Sequence, residues 1–203
     1  MRILGLDEAG RGSVIGPLVV GACLFDGGNQ AALRRVGADD SKALSAKKRE
    51  SILVALASLC DLRTIIIIPA EIDDANVNEL EIAAFLKHVA FYQPDRVYLD
   101  APVNPAGIPA LKVRLINASG VADWVVEPKA DATYPVVGAA SIAAKVGRDA
   151  AIASLGPQVG SGYPSDPVTR AHLLELLKRN LPMPHYVRTR WATLDNLRQQ
   201  SLF

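Results

Sequence analysis

Little in this chain of 203 residues is in excess. Lys and Arg number 22 against 21 Asp and Glu, a formal charge of +1. That balance excludes an indiscriminate polycation and leaves room for a local basic face. From residue 170 onward Arg170, Lys178, Arg179, Arg188, Arg190 and Arg198 outnumber Glu175 and Asp195, so the basic end is the C-terminal one. Cysteine is scarce. Cys23 and Cys60 form no CxxC motif and sit in apolar stretches, so they read as reduced core thiols of a cytosolic protein. His88, His172 and His185 lack metal-ligand spacing and are assigned no chemistry. The longest wholly aliphatic run, "IIIIP", is far too short to span a bilayer. Asp7 and Glu8 stand where a signal peptide needs an apolar segment. The expectation is a cytoplasmic chain without a membrane segment.

What is present is apolar. Half the residues are hydrophobic, which fits one folded domain with a sizeable core and no linker. Residues 2–7, 15–25 and 62–68 read as strands, rich in β-branched residues and stopped by Pro69. A helix at about 45–59 has Ser45 as its N-cap. A second, at about 79–92, follows Asn78 with Glu81 three residues on, a capping-box-like start. "RVYLD" and "ADWVVEP" read as short strands and "GIPALKVRLIN" as a helix. Pro135 suits the first turn of a long helix. Further helices cover about 167–179 and begin near 190. Strands first, then strand and helix alternating, predict a mixed α/β sheet with helices on its faces and an added basic helical lobe.

Four carboxylates end apolar stretches or immediately precede a helix: Asp7, Glu8, Asp100 and Asp131. Taken singly, a strand-end Asp commonly serves a turn or cap. The tandem Asp7-Glu8 is harder to dismiss, because alternation along a continuing strand would bury one of the two. Carboxylates gathered at one sheet edge repel, and protonation or a divalent cation relieves them. Oxygen donors without His or Cys favour Mg²⁺ or Mn²⁺, and two such ions suit phosphodiester hydrolysis. Next comes Gly10-Arg11-Gly12. It reads either as a plain turn with a solvated arginine or as backbone that approaches a ligand closely, with Arg11 meeting a phosphate.

Taken together, "DEAGRG" (7–12), "DDSKALS" (39–45), "VYLDAP" (97–102), "KADATYPVVGAASIAAKVGRD" (129–149) and "GSGYPSDPVTR" (160–170) resemble type 2 ribonuclease H, the ribonuclease HII family, in its archaeal form. The resemblance implies a ribonuclease H-like mixed five-stranded sheet flanked by helices. A catalytic core over 1–155 and a helical substrate-binding region over 156–203 would form one compact unit. It implies endonucleolytic cleavage of RNA in RNA–DNA hybrids and 5′ to single ribonucleotides embedded in duplex DNA. Two ions of Mg²⁺ or Mn²⁺ would act there, leaving 3′-hydroxyl and 5′-phosphate ends.

The family's four acids fall on Asp7, Glu8, Asp100 and Asp131, with Asp7 and Asp100 as the shared ligands. Its 2′-hydroxyl-reading loop falls on Gly10, Arg11 and Gly12, and only a 2′-hydroxyl separates RNA from DNA at a site. Its sugar-stacking tyrosine falls on Tyr163, and its phosphate-contacting "DSK" on Ser41 and Lys42, which read alternatively as a loop capping the next helix. Ser141, Lys145 and Arg148 recur at helical spacing on an otherwise apolar helix, a stripe that marks either solvent or the substrate groove; Lys145 is expected to meet phosphate. Lys47, Lys48 and Arg49 read as a solvated helix face. Gln199, Leu202 and Phe203 look like a shortened form of the tail peptide that docks on the DNA sliding clamp. An ordinary terminus packing back on the domain is the alternative. The family resemblance implies a monomer. A catalytically silent nucleic-acid-binding module would lack one of the acids, and a resolvase-type nuclease would not need the Gly-Arg-Gly loop or Tyr163.

Overall fold

The computed structural model describes residues 1–27, 30–38, 44–179 and 182–200. Ser41, Lys42, Leu202 and Phe203 lie outside them. Five strands form the sheet: β1 (Arg2–Ala9), β2 (Leu18–Asp26), β3 (Asp61–Ile67), β4 (Arg96–Asp100) and β5 (Trp124–Glu127), in the order β3-β2-β1-β4-β5. The β1–β2 and β2–β3 pairs are antiparallel, and β1–β4 and β4–β5 are parallel. This is the mixed five-stranded sheet expected from the sequence.

The helices are α1 (Ala31–Arg35), α2 (Ala46–Leu56), α3 (Pro69–Asp74), α4 (Val77–Tyr92), α5 (Ile108–Ser119), α6 (Ala130–Thr133), α7 (Pro135–Ala153), α8 (Pro167–Lys178) and α9 (Ala192–Gln200). One core lies between the sheet and α4 and α5, where Leu4, Leu6, Phe85, Leu99 and Trp124 meet. A second lies on the opposite face, under α7 and α2, and includes Ile3, Cys23, Ile52 and Val137. β1 is therefore covered on both sides, which explains its nearly unbroken apolar run.

The small residues of α7 let it sit almost on the sheet. A Cβ added at Gly5 would come within 2.2 Å of the Val136 carbonyl oxygen, and one at Gly21 within 2.2 Å of that of Ala140. Either substitution would push helix and sheet apart.

Three expectations about local structure need correction. β2 starts at Leu18 because Gly16 has φ +86° and Pro17 has no N–H to give a ladder. Ile15 instead makes an isolated bridge to Val187. α4 starts two residues earlier than the cap at Asn78 predicts. Asn76 is the N-cap and accepts from the Asn78 N–H at 2.9 Å. Glu81 is thus not a capping residue, and its side chain is spent elsewhere. The short helices α1, α3 and α6 have too few turns for a periodic pattern to announce them.

A third apolar cluster ties the β1–β2 connection, through Val14 and Ile15, to Leu173 of α8 and Leu194 and Leu197 of α9. The helical C-terminal region is therefore seated against the loop that follows the tandem acids.

Candidate active site

The β1–β4 ladder runs from Ile3↔Arg96 to Leu6↔Leu99, so Asp7 and Asp100 are the next residues of two neighbouring parallel strands. β5 ends at Glu127, paired with Asp100, and α6 places Asp131 in its first turn. Carboxylate oxygens of Asp7, Asp100 and Asp131 all lie within 4.8 Å of one another. Asp7 and Asp131 are 4% and 3% exposed. Asp7 accepts from the Glu8 N–H at 2.8 Å, and Asp100 from the Ala130 N–H at 3.0 Å. Glu8 keeps one buried carboxylate oxygen with no hydrogen-bond partner among the described residues.

Burial pushes the Asp7 carboxyl up to about 6. A hydrogen bond from Ser141 opposes this, Asp100 adds to it, and Lys145 opposes it again. Burial also raises Glu8 well above the usual carboxylate range, with Asp7 and Glu81 adding and Arg11 opposing. Crowded, desolvated, oxygen-only donors with an orphaned carboxylate oxygen are what a hard divalent cation stabilises. The residues present fit Mg²⁺ or Mn²⁺.

These acids sit at a cleft of about 510 Å³ lined by Asp7, Glu8, Asp100, the Gly10–Gly12 turn, Lys145 and Tyr163, together with Arg49, Arg148 and Asp149. The polar stripe of α7 therefore faces the cleft and not solvent. Ser141 is fully buried and accepts from Lys145 Nζ at 2.6 Å while hydrogen-bonding Asp7. Arg148 is 5% exposed, donates to the Ser161 carbonyl and lies over the Tyr163 ring with its guanidinium carbon 4.5 Å from the centroid. The Tyr163 loop is held by Gly162 N–H donating to Thr169 Oγ1 at 2.9 Å and by Asp166, the N-cap of α8. The N–H groups of Ser161 and Val168 and the hydroxyls of Ser161 and Thr169, led by the Ser161 N–H, pull that carboxyl down to about 2.

Two arginines depart from expectation. Arg11 does not reach out as a solvated or waiting phosphate ligand. Its Nη1 pairs with Glu81, and its Nη2 donates to Asn78 Oδ1 at 2.6 Å. Arg49 is not part of a solvated face. It donates to the Leu44 carbonyl at 2.6 Å and pairs with Asp149 at 2.8 Å, joining α2 to α7.

Arg188, counted above only in the basic C-terminal end, is fully buried and faces the same turn from the C-terminal side. It donates to the carbonyls of Gly10 (2.7 Å), Arg11 (2.9 Å) and Gly16 (3.0 Å) and lies over Trp191. Burial, with the charge of Arg148, pushes its pKa down to about 10. Gly10 has φ +86°, and a Cβ there would meet the Pro17 carbonyl at 2.6 Å. The turn thus needs glycine for its own backbone geometry. Glu81 and Arg188 carry no local signal in the sequence, because each acts on a segment at least 70 residues away.

Gln199 lies in the last turn of α9 and not in a free tail.

The family model described as Ribonuclease HII matches residues 4–194. A ribonuclease HII from Pyrococcus furiosus is 41% identical over 208 residues, covering 98% of this chain and 92% of that relative. Among solved structures, the ribonuclease H2 of Pyrococcus horikoshii OT3 matches with a TM-score of 0.88 at 38% identity, covering 98% of both chains. A structure of the PCNA:RNase HII complex from Archaeoglobus fulgidus matches with a TM-score of 0.87 at 37% identity, covering 97% of both chains.

Proposed function

The chain belongs to the ribonuclease HII family of metal-dependent endonucleases that act on RNA–DNA hybrids, and from that premise we propose how its own residues do so. We propose that it also cleaves 5′ to single ribonucleotides in duplex DNA by two-metal hydrolysis. The observation that carries this is the convergence of Asp7, Asp100 and Asp131, within 4.8 Å, beside the Gly10–Gly12 turn.

In this reading Asp7 and Asp100 are shared ligands, and Glu8 and Asp131 complete two sites. Bound there, a pair of divalent cations supplies water activation and stabilisation of the charge on the leaving 3′ oxygen. The backbone of Gly10, Arg11 and Gly12 reads the 2′-hydroxyl. Arg188 holds the carbonyls of Gly10 and Arg11 turned inward, which favours presenting N–H groups to the cleft. Arg11 then contributes through its backbone, its guanidinium being engaged by α4. Tyr163, backed by Arg148, stacks on the sugar that follows the ribonucleotide, and Lys145 meets a phosphate. Ser41 and Lys42 are proposed as further phosphate contacts on the family motif alone. Positioning and charge stabilisation account for most of the rate. Attack of water on the phosphate 5′ to the ribonucleotide leaves a 3′-hydroxyl and a 5′-phosphate.

We further propose a cytoplasmic monomer that docks on the sliding clamp through Leu202 and Phe203, with Gln199 on the adjoining helix. The complex of the Archaeoglobus relative supports that partner. No helix among the described residues is long and apolar enough to cross a membrane.

The test is cleavage with Mg²⁺ of three duplexes: a long RNA–DNA hybrid, DNA with one embedded ribonucleotide, and all-DNA. Cleavage of the first two and not the third is expected. Cleavage of all-DNA, or failure on the single ribonucleotide, overturns the reading.

A further inference from the structure

Glu81 is an unusual residue to bury. It lies in the second turn of α4, 1% exposed, and one of its carboxylate oxygens has no hydrogen-bond partner among the described residues. Its other oxygen pairs with Arg11 Nη1, while Arg11 Nη2 donates to Asn78 Oδ1 of the same helix. α4 thus occupies both prongs of the guanidinium fork. A lone buried ion pair is a weak source of stability, since desolvation cancels much of the attraction. Its position suggests another use.

Arg11 stands three residues after Glu8, whose buried Oε2 also has no partner. The two line the same cleft, and the arginine's charge acts on the Glu8 carboxyl. A guanidinium released from α4 would find that carboxylate nearest in the chain. Arginine and carboxylate form strong paired hydrogen bonds, and such a pair would occupy the oxygens that a cation needs.

Resting on the metal-site reading above, we infer that Glu81, with Asn78, is a positioning residue. It holds Arg11 against α4 and so keeps the metal-binding carboxylate Glu8 open to the cation. The arginine can then order the Gly10–Gly12 turn without competing for the site beside it. A purely structural strap between α4 and the turn would have no such effect on metal affinity.

The experiment is calorimetric titration of Mn²⁺ into the full chain, without nucleic acid, for the wild type, E81Q, R11Q and the double variant. Glutamine matches glutamate in size, and circular dichroism checks the fold. E81Q should weaken Mn²⁺ binding by about tenfold, the scale of one partly screened charge contact. R11Q should restore binding in the E81Q background to within about threefold of wild type, yet change it by less than about threefold in the native background. That non-additivity separates a released arginine from a simple change of net charge, which would act equally in both backgrounds.

N78A removes the second anchor without altering any charge. It should weaken binding about twofold, reversed by R11Q, and it carries the test if E81Q does not fold. Equal R11Q effects in both backgrounds overturn the inference, as does unchanged Mn²⁺ affinity in E81Q, or in N78A where N78A carries the test. A wild type that binds no Mn²⁺ overturns the metal-site reading itself, and the inference with it.

Discussion

Replacing Asp7 by Asn should abolish cleavage while making the metal-free protein more stable, and the gain should depend on pH. Asp7 is 4% exposed and lies within 4.8 Å of two other carboxylates. Burial first, and Asp100 next, raise its pKa from 3.8 to about 6. The unfolded chain gives up this proton near 3.8, and the folded chain holds it to about 6. The contribution of Asp7 to stability is therefore full below pH 4 and is lost as pH rises through 6. About two pH units at about 1.4 kcal/mol each is about 3 kcal/mol. Asparagine does not titrate, and its side-chain oxygen can still accept from the Glu8 N–H. The stability gap in favour of D7N should therefore widen by about 3 kcal/mol between pH 4 and pH 8. For a chain of this length that is a shift in Tm of roughly 6–12 °C. Mg²⁺ should bind the folded wild type and close the gap at pH 8 by stabilising that protein alone. Denaturation followed by circular dichroism, in EDTA and in Mg²⁺, measures both effects. A gap that stays flat with pH, an equal Mg²⁺ shift in the two proteins, or near-normal turnover by D7N would refute the argument.

Y163A should lose activity on a single embedded ribonucleotide more than on a long hybrid, since stacking matters most where one 2′-hydroxyl fixes the register; equal losses on both, in steady-state assays, would make Tyr163 structural. R188K keeps the charge but not the fork that meets three carbonyls, and should cost about 2–3 kcal/mol in urea denaturation, at about 1 kcal/mol or slightly more per lost hydrogen bond; a cost below 1 kcal/mol would show that the turn holds itself. Removing residues 201–203, which leaves α9 whole, should leave cleavage of a short duplex unchanged and abolish binding to the clamp of the same organism in a pull-down; clamp binding that survives would exclude Leu202 and Phe203 as anchors.

Asp7, Glu8 and Asp100 were legible because they close apolar segments, and the ends of neighbouring strands meet at one sheet edge; Asp131 was legible from its place just before a helix and from the family motif. That logic brings Asp7 and Asp100 together with no knowledge of strand order beyond adjacency. Order itself was not legible: periodicity does not say that β1 lies between β2 and β4, and only the structure places it there. The start of α4 was misplaced because Asn76 and Asn78 have equal cap chemistry, and only the backbone decides between them. Glu81, read as part of a cap, is instead buried against Arg11. The stripe on α7 was ambiguous for a related reason. Polar residues at helical spacing say which side of a helix differs and not what lies opposite, and here it is the carboxylates and Tyr163.

The arginines share one further cause of illegibility. A guanidinium's role is set by its partner, and these partners come from remote segments: Arg11 meets Glu81 across 70 residues, Arg49 meets Asp149 across 100, and Arg188 meets Gly10 across 178. Counting basic residues near the motifs therefore overstates the positive charge offered to a substrate. Arg11 and Arg49 are neutralised by acids, and Arg148 is shared between Asp149 and the Tyr163 ring. Lys145 Nζ donates to the uncharged Ser141 hydroxyl, and its charge also reaches Asp7. On the proposed function, discrimination of the ribonucleotide comes from shape held close to the acids. That is the arrangement seen at Gly10–Gly12: a turn whose glycine backbone is fixed from α4 through Arg11 and from the C-terminal region through Arg188. On the proposed function, the two like charges near the end of β1 and the glycines after them form one device, an acid cluster that would hold the cations with a reader of the sugar set directly beside it.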